Sequence, residues 1–334
     1  MTQTRGNAGQ TPANAVQVLV NVTRTRDRTT RRACHGEFSE RFVKITNVRQ
    51  GHASRTADRV ATRRASHQLL DSPRVLDDPL ALAILSPESR AALVADPRAY
   101  DPSPLAAAFR AFFAIRSRLA EDALAEAVVR GVAQYVVLGA GFDTSAYRPP
   151  CATNASLRVF EVDHPDTQAV KRERLAAAGI DIPANVTFVA ADLSRTALRD
   201  ALRDAHFDFG LPAFISWLGV VPYLTLDAIS ATLATLGSLP IGTEIVFDYG
   251  VPPSTLSGMA RLVFNRFAAR VAAAGEPWIT FFEPAELRAL LQRCGFTRVD
   301  DYDGGALTAR YLANRTDGLR LGPMGHIARA SVAR

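Results

Sequence analysis

Cysteine is scarce: the 334 residues contain three, Cys34, Cys151 and Cys294, far apart and never in Cys-x-x-Cys spacing. This excludes a disulfide framework and a zinc site built on paired cysteines, and it fits a reducing compartment. Long apolar runs are also missing. No stretch approaches the roughly 20 residues that span a bilayer, and Ala15 to Val20, ahead of an arginine-rich segment, is a poor signal-peptide core. A cytoplasmic protein with no membrane partner is the expectation. No internal repeat is visible, and with 48% hydrophobic and 22% charged residues the chain as a whole is neither disordered nor collagenous.

Excess charge is absent from most of the chain. The net charge is +6, yet residues 1–50 hold nine basic and three acidic residues, so the remainder balances at thirty of each. The part expected to fold is neutral overall. The segment Arg24 to Arg32 lacks interleaved aromatics, which disfavours nucleic acid as a partner. Residues 1–50 are read as a basic, disordered tail, or as an extension from an upstream start codon.

What is present begins after residue 50. Ala57, Val60, Ala61, Ala65, Leu69 and Leu70 recur at helical spacing, and Asp71-Ser72-Pro73 ends the run. A second helix, rich in Ala, Leu and Phe, is predicted from Pro104 to Arg130 and closed by Gly131. Residues 51–130 thus form a helical N-terminal cap. The period then changes: Tyr135–Leu138, Val159–Val162, Val186–Val189, Ala213–Ser216 and Glu244–Phe247 are short apolar runs with helical segments between them. This βαβαβαβαβ alternation requires crossover helices and a mostly parallel sheet covered on both faces. Further helices are expected near Leu256 to Ala274 and Pro284 to Cys294, on the substrate side. Phe296 to Tyr302 and Ile327 to Val332 would close one sheet edge as an antiparallel pair. The expected fold is a doubly wound, mostly parallel seven-stranded α/β sheet, with residues 131–334 as the cofactor-binding core.

In such sheets ligands bind beyond the carboxyl ends of the strands. Gly139-Ala140-Gly141 follows the first strand, where two glycines permit a tight turn and close approach of a ligand. The third glycine of a dinucleotide fingerprint is replaced by Thr144, so this loop alone does not separate a nucleotide site from a tight turn. Asp163 ends the second strand about 20 residues on, and its carboxylate suits two ribose hydroxyls; a helix N-cap at Asp163 or His164 is the alternative. Asp192 and Leu193 follow the third strand, placed for an adenine amino group and ring nitrogen. Three successive strand ends carrying this set are much more specific than any one of them.

The chain from Ser54 onward, about 280 residues, resembles the class I, Rossmann-like S-adenosylmethionine-dependent methyltransferases. Within them it is similar to the family of leucine carboxyl methyltransferases and bacterial polyketide O-methyltransferases, nearest its bacterial branch. The likeness rests on SRTADRVATRRASH, DDPLA, VVLGAGFDTSAYR, FEVDHP, ADL, SWLGVVPYLT, FDY and EPWITFFEPAEL. The resemblance implies S-adenosyl-L-methionine as cofactor, with its methionine part over Gly139 and Gly141, its ribose on Asp163 and its adenine at Asp192 and Leu193. It also implies an arginine for the cofactor carboxylate, matched by Arg116, with Arg118 as the alternative. Where the carboxyl methyltransferases carry a glutamate facing the cofactor ammonium, this chain has Leu218, which accepts no hydrogen bond.

Methyl transfer from a sulfonium is an in-line displacement, so the protein chiefly positions and desolvates the reactants. The resemblance implies O-methylation of a carboxylate or hydroxyl on a small-molecule acceptor. A carboxylate needs no base, whereas a phenol or alcohol benefits from one, and Tyr223, His67 and His164 are candidates. Trp217, Tyr223, Trp278, Phe281 and Phe282 suit an apolar acceptor pocket or plain packing. No metal is expected, since the fourth-strand loop carries no carboxylate and the fifth strand offers only Asp248. Two other readings stay open: an NAD-dependent oxidoreductase, disfavoured by Thr144, and a non-catalytic cofactor-binding protein, kept alive by Leu218.

Overall fold

A computed structural model describes residues 54–333 apart from 102, 194–195 and 274–276; the expectation of a basic tail over 1–50 lies outside the described residues. Seven strands form a single sheet: β1 Gln134–Leu138, β2 Arg158–Asp163, β3 Val186–Ala190, β4 Phe214–Trp217, β5 Glu244–Gly250, β6 Arg298–Tyr302 and β7 Gly325–Ser331. Their order is β3-β2-β1-β4-β5-β7-β6. The first five are parallel, and β7 is antiparallel to both β5 and β6. The order reverses between β1 and β4, which opens a crevice beyond their carboxyl ends.

The apolar runs of the parallel strands are continuous because both faces are covered. Val136, Leu138, Phe160 and Val162 point into one core, whereas Tyr135, Val137 and Val159 point into the other. Helices α5 Leu198–Asp204, α6 Leu226–Gly237 and α8 Pro284–Arg293 cover the first face, with Leu202, Leu233 and Leu291 fully buried. Helix α3, Pro104–Val129, covers the second, laying Ile115 and Leu119 against the sheet residues Phe214 and Val246. Burying side chains of this size stabilises the fold by roughly 1.5–3 kcal/mol each. Helix α1, Arg55–Leu70, begins at the capping side chain of Ser54, which accepts from Ala57 N at 3.2 Å. Helix α2 is Pro87–Ala95, α4 Pro165–Ala177, α7 Gly258–Ala273 and α9 Gly304–Tyr311. Among the described residues no helix is long and apolar enough to cross a membrane.

One expected crossover helix is not formed. Between β1 and β2 the chain makes two short 3-10 turns, Ser145–Tyr147 and Cys151–Thr153. Pro149 and Pro150 stand between them, removing two backbone donors and disfavouring helical geometry at the preceding residues.

A buried ionic cluster ties the N-terminal helices to the glycine turn. Arg64 on α1 donates to Asp78 at 2.9 Å, to Thr144 at 2.8 Å and to Asp143 at 3.1 Å. Arg148 reaches Asp78 at 3.3 Å and pairs with Glu121 of α3. The second aspartate of DDPLA, Asp78, and the arginine of VVLGAGFDTSAYR, Arg148, thus have a structural role.

Candidate active site

The turn after β1 admits only glycine at its ends. Gly139 and Gly141 have φ of 65° and 48°, in the left-handed region that side chains avoid. A Cβ on Gly139 would stand 2.3 Å from Val220 Cγ2. Gly139 and Ala140 donate to the carbonyl of Val162 at 2.8 and 3.1 Å, which folds the turn against the end of β2. There Asp163 Oδ2 accepts from Gly141 N at 2.5 Å and Oδ1 from His164 N at 2.6 Å. Burial pushes the Asp163 carboxyl above the ordinary carboxylate value, although the two N–H groups pull it down. The N-cap of α4 is His164, whose Nδ1 accepts from Asp166 N at 3.3 Å. That leaves Asp163 facing a cavity.

This cavity has a volume of about 450 Å³ and is lined by Gly139, Gly141, Asp163, Arg116, Leu218 and Tyr223, among others. Thr167, also on its wall, has a buried hydroxyl with no partner, a polar atom of the kind that a bound ligand satisfies. A second cavity of about 600 Å³ adjoins it, walled by Phe109, Phe112 and Phe113 of α3, Phe264 and Phe267 of α7, and Trp278. Phe109 and Phe267 stack with centroids 4.4 Å apart, and Trp278 lies 5.6 Å from Phe267. Thr56, Val60, Arg116, Gly219 and Tyr223 line both cavities and form the seam between them.

At the seam Arg116 is buried and pairs with Asp248 at 2.8 Å, and Asp248 accepts from Gly219 N at 2.6 Å. The guanidinium also lies 4.6 Å over the Phe113 ring. The β5 carboxylate at this seam is therefore already paired.

The expected site residues divide clearly. Arg116, Gly139, Gly141 and Asp163 meet around the first cavity, while Arg118, on the other side of α3, is half-exposed and bonded to Asp122 at 2.7 Å. Asp192 and Leu193 stand on the loop after β3 but are not among the residues lining the cavity; Leu193 packs against the core. His67 lines neither cavity. It bonds to Asp71 at 2.7 Å and accepts at Nε2 from Val75 N and Leu76 N, a structural use of both ring nitrogens. His164 is the helix cap already described, and Trp217 and Phe282 are core residues. Tyr223 is at the seam, and Trp278 and Phe281 line the aromatic cavity. The three phenylalanines of α3, Arg63 and Arg64 went unrecognised in the sequence, although 109, 112 and 113 share one helical face. Among the described residues no group of three or more His, Cys, Asp or Glu side chains is arranged to hold a metal.

A sheet of this order, with a glycine turn and an acid at successive strand ends beside the reversal point, defines a class I S-adenosylmethionine-dependent methyltransferase. The model of the leucine carboxyl methyltransferase family matches residues 57–237, and the chain belongs to that family. It is 31% identical over 302 residues to the "Putative S-adenosyl-L-methionine-dependent methyltransferase YktD" of Bacillus subtilis (strain 168), covering 81% of this chain and 95% of the relative. Its fold is similar to that of a DUF574 family protein from Streptomyces avermitilis MA-4680, at 19% identity and a TM-score of 0.52 over 84% of this chain and 97% of the other. A structure from Thermobifida fusca YX, titled a putative methyltransferase, aligns at 20% identity and a TM-score of 0.51 over 82% and 94% of the two chains. The chain is an enzyme that uses S-adenosyl-L-methionine, and both the oxidoreductase reading and the non-catalytic one fall.

Proposed function

We propose that this methyltransferase acts on a carboxylate or hydroxyl oxygen of a small metabolite held in the aromatic cavity, with the cofactor in the adjoining one. The observation that carries this reading is the seam: two cavities of ligand size meet along five residues, so a donor in one and an acceptor in the other would touch there. When bound, the cofactor supplies an electrophilic methyl group on sulfur.

The chain's own residues then have the following roles. Gly139 and Gly141 leave room for the methionine part against the backbone, and Asp163 receives the ribose hydroxyls. Asp192 and Leu193 hold the adenine on the loop beyond the cavity wall. Arg116 faces the cofactor carboxylate, its charge tempered by Asp248. Thr167 offers its unpartnered hydroxyl to the same ligand. Leu218 contributes an apolar wall where a glutamate would have met the cofactor ammonium. The helices after β5 and the aromatic face of α3 exclude water from the acceptor.

A carboxylate acceptor needs no base in this site; a hydroxyl acceptor would have Tyr223 beside it. The test is incubation with radiolabelled S-adenosylmethionine and a panel of carboxylic acids, phenols, amines and thiols, followed by alkali. Base-labile label marks a methyl ester and base-stable label a methyl ether. Label found only on nitrogen or sulfur acceptors would overturn the reading.

A further inference from the structure

The aromatic cavity contains an unbalanced charge. Three arginines and two aspartates line it: Arg116 is matched by Asp248 at 2.8 Å, and Asp58 is matched by Arg174 at 2.7 Å. Arg59 is exposed at the rim. Arg63 is half-buried, and among the described residues no carboxylate lies within ion-pair distance of it; its Nη1 donates to the carbonyl of Ala106 on α3 at 3.2 Å. Burial, and after it the Arg110 guanidinium, hold Arg63 below the usual arginine value. Arg110 gives no relief, being engaged by Asp71 at 2.7 Å and by Asp101.

A partly desolvated cation with no counter-ion among the described residues, on the wall of a cavity rich in phenylalanine, is an anion site with an aromatic body attached. Phe109, Phe267 and Trp278 pack on one another into a single aromatic wall, and Arg63 offers a fork of donors that suits a carboxylate. We infer that the ligand of this cavity is an aromatic monoanion whose rings lie among Phe109, Phe267 and Trp278 and whose negative group is held by Arg63. The inference rests on the reading of this cavity as the acceptor site, and it adds both a substrate class and a specificity residue. Arg63 is a binding residue here and takes no part in the displacement.

The probes are 2-naphthoate and 2-naphthamide, equal in shape and different in charge, titrated into the full chain by calorimetry and by quenching of tryptophan fluorescence. Naphthoate should bind at least about tenfold more tightly than the amide, the equivalent of roughly 1.4 kcal/mol. Arg63→Gln should remove that preference and leave amide affinity within about twofold, and Arg63→Lys should restore part of it. S-adenosylhomocysteine titrated into the same samples reports that each variant is folded. Equal binding of the two probes, no binding of either, or a preference that survives Arg63→Gln overturns the inference. Methyl transfer to an oxygen acceptor alongside equal probe binding would sink this inference alone. The charge preference without transfer to any oxygen acceptor would sink the proposed reaction and leave the anion site standing.

Discussion

Replacing Asp163 with alanine is expected to weaken S-adenosylhomocysteine binding by at least about tenfold. An ionised carboxylate has about four lone-pair positions. Two are occupied in the free protein, by Gly141 N at 2.5 Å and His164 N at 2.6 Å, one on each oxygen. One position per oxygen is left, which matches the two hydroxyls of a ribose. A hydrogen bond to a charged partner is worth about 1.5–3 kcal/mol. Losing one costs roughly tenfold in affinity, and losing both roughly a hundredfold or more. The same substitution leaves two backbone donors without acceptors, at about 1–3 kcal/mol each where they are buried, partly offset because a desolvated charge is also removed. Asp163→Asn keeps one acceptor oxygen and should bind with intermediate affinity. Calorimetry measures affinity in the two variants, and urea denaturation without ligand separates a weakened site from a melted loop. If both variants bind within about twofold of the wild type, Asp163 does not hold the ribose.

Cofactor affinity should also fall as the pH is lowered from about 7 to about 5. Burial raises the Asp163 carboxyl, so it begins to protonate above the ordinary range near ~4, and two hydroxyl donors favour its ionised form. Binding near the acid end should therefore release protons, seen as a buffer-dependent heat; a flat profile would contradict the assignment. Gly139→Ala should destabilise the fold by roughly 2–4 kcal/mol, from a left-handed backbone worth about 1–2 kcal/mol and the collision with Val220. Adding Val220→Ala should recover the collision part in urea melts and leave the backbone part. Asp143 is held down to about 2: burial opposes ionisation, but Arg64, Lys171 and Ser145 outweigh it. Because its folded value lies below the unfolded one, its contribution of roughly 2 kcal/mol is present above about pH 4 and is lost as the pH falls through about 2. Asp143→Asn should flatten that acid limb of the stability profile, and an unchanged limb would locate it elsewhere. Turnover should survive excess chelator, since Asp248 is paired with Arg116 and Asp163 with two backbone N–H groups. Loss of activity that magnesium restores would make Asp248 the first residue to re-examine.

The sheet was readable because each parallel strand is a short apolar run ending in a glycine or an acid, a pattern that local chemistry dictates. Even the antiparallel closure at β6 and β7 was visible as two late apolar stretches. The first crossover was misjudged because regular alternation was extended across Pro149 and Pro150, where the backbone cannot donate. Arg116 was preferred to Arg118 only through the resemblance, although two residues on a helix point about 200° apart; which one faces inward depends on how α3 lies on the sheet. His67 gave no sign of its structural role, since Val75 N and Leu76 N come to it from a loop whose path no periodicity reveals. The aromatic cavity was legible only in part: Trp278 and Phe281 stood out as candidates for an apolar pocket, whereas Phe109 and Phe267 are far apart in sequence and meet only in the fold.

Helix α1 sends Ala57, Ala61 and Arg64 toward the first cavity, Arg59 and Arg63 toward the second, and Thr56 and Val60 along the seam. At about 100° per residue these are three neighbouring stripes on one cylinder. Neighbours in sequence therefore face different cavities: on the proposed reading a change at Arg63 would alter what the aromatic cavity accepts, while a change at Arg64 breaks the ionic tie to the glycine turn. If the cavities are donor and acceptor sites as proposed, such a helix lets acceptor preference drift through substitutions at 59 and 63 while the donor side is left intact. New substrates can be sampled on one stripe without rebuilding the other two.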